Sequence, residues 1–291
     1  MTRIAVLTPD PADLSYASQW PGVRDRLAAA LALEGIEAVA TPWTDHIDDA
    51  AGLADYPLIL PMIVWGYHRD HGRWLRACAT WTAARLPLAN PASVLAWNSD
   101  KSYLARLAGR GVPMPETIWS DDVTADTVAA AFATTGADRL IVKPTVSGGA
   151  WKTLRLSPGE ALTDAPEGSA MIQPFLPTIE TAGETSLLFF GRTFSHAVNK
   201  RPVGGDFRIQ VQFGGLYTPV ARPPAGALAL AEQVLAAIDE PLLYARIDMV
   251  PDADGNWLLM EAELIEPDLY LDNAPDGGAA LARAVRDRLQ G

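Results

Sequence analysis

Two stretches near the end of the chain decide the fold: Ala245-Arg246-Ile247-Asp248-Met249-Val250 and Met260-Glu261-Ala262-Glu263-Leu264-Ile265-Glu266-Pro267. They flank the run Asp-Ala-Asp-Gly-Asn at 252–256, which is typical of the turn of a β-hairpin. Side chains alternate between the faces of a strand, so Glu261 and Glu263 point to one side, and a paired strand can add Asp248. Carboxylates gathered on one face repel each other unless a cation neutralises them, and hard oxygen ligands suit Mg²⁺. The two stretches therefore predict a metal–nucleotide site.

A solvent-facing hairpin that carries ordinary surface acids is the alternative interpretation. The apolar residues next to these carboxylates in the sequence argue against it. They are Leu258, Leu259, Met260, Leu264 and Ile265. Such residues predict a largely buried strand, in which unpaired carboxylates are costly.

The charge composition of the chain argues against some classes of function. The chain has 291 residues, a formal net charge of −12 and a sequence pI near 4.7. This charge argues against non-specific nucleic-acid binding and against an anionic membrane surface, both of which need a cationic protein face. An acidic protein that binds ATP must concentrate its few basic residues locally.

Cysteine usage and hydropathy favour a cytoplasmic protein. Cys78 is the sole cysteine, so no intrachain disulfide can form, and it is predicted to be a core or surface residue of a helix rather than a nucleophile. The N-terminal stretch at 1–7 is too short for a signal peptide and is followed by Pro9-Asp10, and no apolar run reaches transmembrane length.

Three domains are expected. Strand and helix patterns alternate in residues 1–97, which predicts an N-terminal α/β domain with an open, mostly parallel sheet. Residues 98–170 are expected to form a small central α+β subdomain. Residues 171–291 are expected to form a C-terminal antiparallel-sheet subdomain with the metal site.

Basic residues mark a possible phosphate site. Lys143 ends an apolar strand and precedes the small-residue loop Ser147-Gly148-Gly149, whose backbone N–H groups can approach phosphate oxygens. A helix is predicted to begin at Asn98 or Ser99, which places Lys101 near its N-terminus. The alternatives are a strand-end lysine before a plain turn and a solvated helix lysine.

A second basic cluster surrounds the Gly-rich segment 202–206. Lys200 and Arg208 lie on either side of it and could close over phosphates, although an exposed basic loop has the same composition. Arg246 shares a strand face with Asp248, and an arginine beside a metal-binding aspartate suits a transferring phosphoryl group. Substrate selection is expected in the loops 65–73 and 202–208.

Taken in order and spacing, these motifs resemble the ATP-grasp superfamily, and in particular its glutathione-synthetase-like branch. The resemblance spans the whole chain, and its carriers are Asn98-Ser99-Asp100-Lys101, Ile141-Val142-Lys143-Pro144, Ser147-Gly148-Gly149, Ile172-Gln173-Pro174-Phe175-Leu176, Gly183-Glu184-Thr185-Ser186, Ser195-His196-Ala197-Val198-Asn199-Lys200, Arg246-Ile247-Asp248 and the Glu261–Pro267 stretch.

The resemblance implies a set of residue roles. The ATP-contacting residues would be Lys101, Lys143, Ser147, Gly148, Gly149, Gln173, Phe175, Leu176, Glu180, Glu184 and Lys200. Asp248, Glu261 and Glu263 would hold Mg²⁺, with Mn²⁺ as a substitute. Arg246 and Lys143 would stabilise the transferred phosphate, and Arg208 would orient the substrate carboxylate. One departure stands out: many relatives have Glu-x-Asn where this chain has Glu261-Ala262-Glu263, although glutamate still ligates Mg²⁺.

The expected activity is an ATP- and Mg²⁺-dependent carboxylate–amine ligase that activates an amino-acid-like carboxylate as an acyl phosphate. The ending Glu-x-Glu-Leu-Ile-Glu-Pro resembles compact ATP-grasp cyclo-ligases, which include the type that forms D-cycloserine from O-ureido-D-serine. Two alternatives stay open: a ligase that extends a peptide or protein tail, and a non-catalytic nucleotide-binding protein. A homodimer is compatible with the sequence, because dimers are the commonest assemblies of soluble oligomers.

Overall fold

The computed structural model describes residues 1–203, 209 and 214–291. Its strands are β1 Thr2–Thr8, β2 Ile36–Pro42, β3 Ile59–Leu60, β4 Ile118–Ser120, β5 Leu140–Pro144, β6 Leu154–Leu156, β7 Ala170–Pro174, β8 Glu184–Phe190, β9 Thr193–Arg201, β10 Leu216–Pro219, β11 Tyr244–Pro251 and β12 Trp257–Glu263. Its α-helices are α1 Trp20–Ala32, α2 His71–Ala83, α3 Ala92–Asn98, α4 Tyr103–Gly109, α5 Ala125–Thr135, α6 Thr178–Thr181, α7 Ala225–Ala236 and α8 Ala279–Gln290.

The N-terminal sheet is parallel, as predicted, with the strand order β2-β1-β3. Its central strand is covered on both faces, which explains the unbroken apolar run of β1. Ile4 and Val6 pack in one core with residues of α1 and α8, while Ala5 and Leu7 pack in another with residues of α2. Cys78 of α2 is buried in the second core, and burial raises the pKa of its thiol to about 12.

The other two sheets are antiparallel. The four-stranded sheet has the order β4-β7-β5-β6 and packs against α5, and the five-stranded sheet has the order β10-β9-β8-β11-β12 and packs against α7. The hairpin at 252–256 joins β11 to β12, and the Asp252 carboxylate accepts the backbone N–H of Asn256 (2.8 Å). Strand β7 crosses the predicted boundary at 170/171 and pairs with β5 of the four-stranded sheet. The three domain ranges stay predictions.

The predicted helix start at Asn98 or Ser99 is wrong. Asn98 ends α3, and α4 begins only at Tyr103 after a turn in which the Asp100 carboxylate accepts the backbone N–H of Ser102 (2.8 Å). Asn98 does not cap a helix because its amide is engaged elsewhere.

Asn98 completes the outer edge of the five-stranded sheet. Its Nδ2 donates to the carbonyl oxygen of Ala262 (2.8 Å), and its Oδ1 accepts the N–H of Leu264 (2.9 Å). The N–H of Ala262 donates to the Tyr103 hydroxyl (2.8 Å). One side-chain amide thus takes the place of a neighbouring strand's peptide group beside β12.

Asn90 makes a similar connection further along. Its buried amide donates to the carbonyl oxygens of Tyr244 (3.0 Å) and Leu264 (2.8 Å) and accepts the N–H of Leu243 (2.7 Å). The two asparagines therefore attach the N-terminal region to the sheet that carries the predicted metal strands.

No helix in the described ranges has the length and apolar character needed to span a membrane.

Replacing Asn98 should destabilise the protein without redirecting the fold. Asn98→Ala leaves a buried N–H and a buried carbonyl without partners, which costs on the order of 1–3 kcal/mol for each group. Chemical denaturation should show a lower free energy of unfolding by roughly 2 kcal/mol or more. Asn273→Ala, which removes an amide with no described hydrogen bond of its side chain, is the matched control. Equal stability of the two variants would contradict the role of Asn98.

Candidate active site

One cleft collects every lysine of this acidic chain. It has a volume of about 1370 Å³ and is lined by residues from all three sheet regions. The sequence contains four lysines, and all of them line this cleft: Lys101, Lys143, Lys152 and Lys200. The local concentration of basic residues that ATP binding requires of an acidic protein is therefore present.

Strands β11 and β12 form the acidic wall of the cleft. Asp248 lies opposite Glu261 and Arg246 lies opposite Glu263 in the antiparallel register, and the register shifts immediately after Asp248. Like charges directly opposite each other destabilise a sheet. The wall is therefore held together by the cations that reach it.

Asp248 is the most fully satisfied of these carboxylates. Its Oδ1 accepts the Ser186 hydroxyl (2.6 Å), and its Oδ2 lies 3.0 Å from Arg246 Nη2 and 3.1 Å from Lys200 Nζ. Burial by itself raises the pKa of Asp248, but Arg246 and Lys200 outweigh it and hold the pKa well below the ordinary value. Asp248 is thus a fixed anion.

Lys200 connects two strands through its ammonium group. The Nζ atom lies 2.5 Å from Glu184 Oε1 and 3.1 Å from Asp248 Oδ2, and the residue is only 3% exposed. Burial lowers its pKa, yet Asp248 and Glu184 raise it well above the ordinary value. Lys200 therefore carries its charge throughout the physiological range.

Lys101 and Lys143 reach the cleft from outside the five-stranded sheet, from the turn before α4 and from β5. Lys101 Nζ lies 3.1 Å from Glu261 Oε1 and donates to the carbonyl oxygen of Ser147 (3.2 Å), which ties it to the small-residue loop. Lys101, Lys152 and Lys200 all form ion pairs, whereas Lys143 forms none with the carboxylates of the described residues. Burial lowers the pKa of Lys143. An anionic ligand would supply the missing partner.

The remaining acidic groups are short of positive charge. Arg246 contacts Glu263, but burial, opposed in part by Arg246 and reinforced by Glu261, raises the pKa of Glu263 to about 7. Burial and the neighbouring Glu263 raise the pKa of Glu266 to about 8. A bound cation would relieve both shifts.

The carboxylates of the cleft could supply part of the coordination shell of Mg²⁺. No group of three or more His, Cys, Asp or Glu residues in the described part of the chain is close enough to hold a metal unaided. Mg²⁺ commonly takes one or two carboxylates and completes its shell with phosphate oxygens and water. Glu261 and Glu263, on one face of β12, fit that pattern.

Most of the predicted site residues lie together. Lining the cleft are Lys101, Lys143, Ser147, Gly148, Gly149, Gln173, Phe175, Leu176, Glu184, Lys200, Arg246, Asp248, Glu261 and Glu263. Glu180 does not line it, and its carboxylate faces Arg155 (3.6 Å) and Arg139 (3.9 Å) instead. Arg208, predicted to orient the substrate carboxylate, lies outside the described residues.

Some site residues had no role assigned from the sequence. Ser186 donates to Asp248 and Glu266 lines the cleft, but the motifs that contain them indicate no role for either residue. The aromatic residues Tyr16, Trp65 and Tyr67 also line the cleft, and the last two fall in the loop where substrate selection is expected.

The fold and this cleft define the class of protein. The chain has the ATP-grasp fold, with the α/β N-terminal sheet and two antiparallel sheets expected from the sequence. Residues 4–90 match the family model for the N-terminal domain of D-cycloserine synthetase DcsG.

Similar proteins extend the match to the whole chain. The chain is 27% identical over 279 residues to the cycloserine biosynthesis protein DcsG of Streptomyces lavendulae, which covers 88% of this chain and 90% of that protein. The crystal structure of D-cycloserine synthetase DcsG superposes with a TM-score of 0.81 at 27% identity, covering 99% of each chain. A D-alanine–D-alanine ligase from Bacillus anthracis shares the fold, with a TM-score of 0.72 at 16% identity over 100% of this chain and 98% of that one.

Removing the buried ammonium of Lys200 should be strongly destabilising. Lys200→Met removes the positive charge that pairs with Glu184 and Asp248, so both buried carboxylates lose a counter-ion. Breaking a buried ion pair costs roughly 3–5 kcal/mol. Thermal and chemical unfolding should show this loss. Lys152→Met is the matched control, since Lys152 pairs with the exposed Asp164 and Glu167, and such pairs contribute about 0–1 kcal/mol. Similar losses in both variants would contradict the analysis.

Proposed function

We propose that the protein is an ATP- and Mg²⁺-dependent carboxylate–amine ligase that activates an amino-acid-like carboxylate as an acyl phosphate. We further propose that the nitrogen nucleophile belongs to the same molecule, with O-ureido-D-serine as the substrate to test first. The observation that carries the proposal is the gathering of all four lysines in one cleft together with the carboxylates of β11 and β12. Similarity to DcsG along the whole chain supports the cyclo-ligase assignment.

The nucleotide would lie with its phosphates between the lysines and the acidic wall. We assign Lys101, Lys143 and the loop Ser147-Gly148-Gly149 to the phosphates, because they approach the same end of the cleft. Gln173, Phe175 and Leu176 would border the adenine. Glu184 and Lys200 would line the nucleotide region, while the ribose role of Glu180 would require its side chain to leave Arg139 and Arg155.

The metal would be held chiefly by Glu261 and Glu263. Asp248 already accepts hydrogen bonds from Ser186, Lys200 and Arg246, so its share would be smaller and its main task would be to orient Arg246. Mg²⁺, when bound, neutralises charge on phosphate oxygens and helps to align them.

In the proposed reaction, a substrate carboxylate oxygen attacks the γ-phosphorus and the bond to ADP breaks. Lys143 and Arg246 would offset the charge on the transferred group. The nitrogen nucleophile then attacks the acyl carbon and phosphate leaves. Positioning and electrostatics carry most of such catalysis, so no enzyme nucleophile is required. Orientation of the carboxylate by Arg208, a homodimer and a cytoplasmic location stay predictions.

The activity test is ADP release by the purified protein with Mg-ATP and a panel of amino-acid carboxylates that includes O-ureido-D-serine. Release should depend on one compound, stop with excess EDTA and return with Mg²⁺ or Mn²⁺. Mass spectrometry separates a cyclised product from a peptide grown by one residue, which would favour the tail-extending ligase. Clean ATP binding without release on the whole panel would contradict the proposal and favour a non-catalytic nucleotide-binding protein.

Loss of Lys143 should impair turnover more than folding. Lys143→Met removes a cation that forms no ion pair with a described carboxylate, so no buried acid is left unpaired. Removal of one charge-stabilising donor typically costs about 10²–10³-fold in kcat. Arg76→Met, which removes one positive charge from the exposed surface, is the control. Normal ADP release by Lys143→Met would refute the assignment of this residue.

A further inference from the structure

One carboxylate in the cleft has no ion-pair or hydrogen-bond partner among the described residues. Most of the charged groups that line the cleft are ion-paired within the described residues, and the exceptions are Lys143, Glu266 and Asp268. The Asp268 carboxylate accepts the backbone N–H of Tyr270 (2.9 Å). Lys143 faces the proposed phosphates. Glu266 alone presents a carboxylate to the cleft without an ion pair or a hydrogen bond from any described residue.

The backbone that carries Glu266 is rigidly held. The two preceding residues, Leu264 and Ile265, are buried in separate hydrophobic cores. The Leu264 N–H and carbonyl are bound by the side chains of Asn98 and Asn90, and the Tyr244 hydroxyl donates to the Ile265 carbonyl (2.6 Å). A functional group held by packing and supporting hydrogen bonds is preorganised for a ligand.

Aromatic side chains border the same end of the cleft. Tyr16 and Trp65 stand with ring centroids 5.6 Å apart, and Tyr67 is buried. Burial raises the pKa of both Tyr16 and Tyr67, and the Glu266 carboxylate is close enough to add to the rise in each. Gly66 makes this packing possible, because its φ is +91° and a Cβ there would meet Tyr16 Cε2 at 3.3 Å. The Arg69 guanidinium covers the Tyr16 ring at 4.8 Å and binds Asp13 at 2.6 Å, which fixes the loop.

Carboxylate and aromatic groups together recognise a particular ligand chemistry. An ammonium group offers three N–H donors to a carboxylate and is attracted to aromatic faces. We propose that Glu266, bordered by Tyr16, Trp65 and Tyr67, is the subsite for the α-ammonium group of an amino acid substrate. The inference rests on the proposed function and deepens it, since it assigns the group that distinguishes an amino acid from a simple carboxylic acid.

The decisive experiment compares two small probes by direct binding, without turnover. D-Serine carries an α-ammonium group, and D-glycerate has the same skeleton with a hydroxyl in its place. With Mg-ADP present, calorimetry and thermal shift should show tighter binding of D-serine to the wild-type protein. Glu266→Gln should weaken D-serine binding by at least about tenfold, the least expected from the loss of a hydrogen bond to a charged group, and leave D-glycerate binding unchanged.

Two further variants separate a binding role from a general effect. Asp272→Asn removes an exposed carboxylate, paired with Arg26 at 3.5 Å, and should keep the preference for D-serine. Glu266→Asp retains the charge and should keep the preference in weaker form, even where Glu266→Gln lowers the melting temperature of the free protein.

Several outcomes would overturn the subsite. They are equal binding of the two probes to the wild-type protein, including no binding of either, and a preference for D-serine that survives in Glu266→Gln. A variant that needs more Mg²⁺ for ADP binding but keeps the preference would make Glu266 a metal ligand instead. Failure of the proposed function gives a different pattern: the D-serine preference persists while no compound in the panel releases ADP.

Discussion

A row of buried charges fixes the register of the five-stranded sheet. Lys200 on β9 faces Glu184 on β8, Ser186 on β8 faces Asp248 on β11, and Arg246 on β11 faces Glu263 on β12. A slip of one residue in any of these pairings would turn charged side chains into the hydrophobic core and leave their partners unpaired. The same row forms one wall of the cleft, so the constraint that specifies the sheet also specifies the site.

Confinement of the lysines reconciles the charge of the protein with an anionic ligand. The chain has a net charge of −12, yet its four lysines all reach the same concave surface. Low-dielectric walls focus the field of such a group, so the local potential can be positive on an acidic molecule. The composition that argues against nucleic-acid binding is therefore compatible with a nucleotide site.

Local signals explain what the sequence could predict. The hairpin at 252–256, the alternating strands beside it and the loop after Lys143 each depend on neighbouring residues, and the structure has them where they were expected. The predicted helix start at Asn98 was wrong because the side-chain amide of this residue forms a hydrogen bond with β12, 164 residues further along the chain. No local pattern encodes such a contact, nor the fact that Glu266 has no ion pair or hydrogen bond with the described residues. The orientation of Glu180 toward two arginines depends equally on tertiary structure.

The side-chain amide beside β12 has a consequence for self-association. An open sheet normally offers unpaired peptide groups at both edges, and these can recruit a strand from another molecule. At β12 this template is already occupied by Asn98 and the Tyr103 hydroxyl, and by Pro113, whose carbonyl accepts the N–H of Leu259 (2.9 Å). Among the described strands, β10 forms the opposite edge. Strand-to-strand joining of two copies is thereby disfavoured at the edge next to the acidic wall.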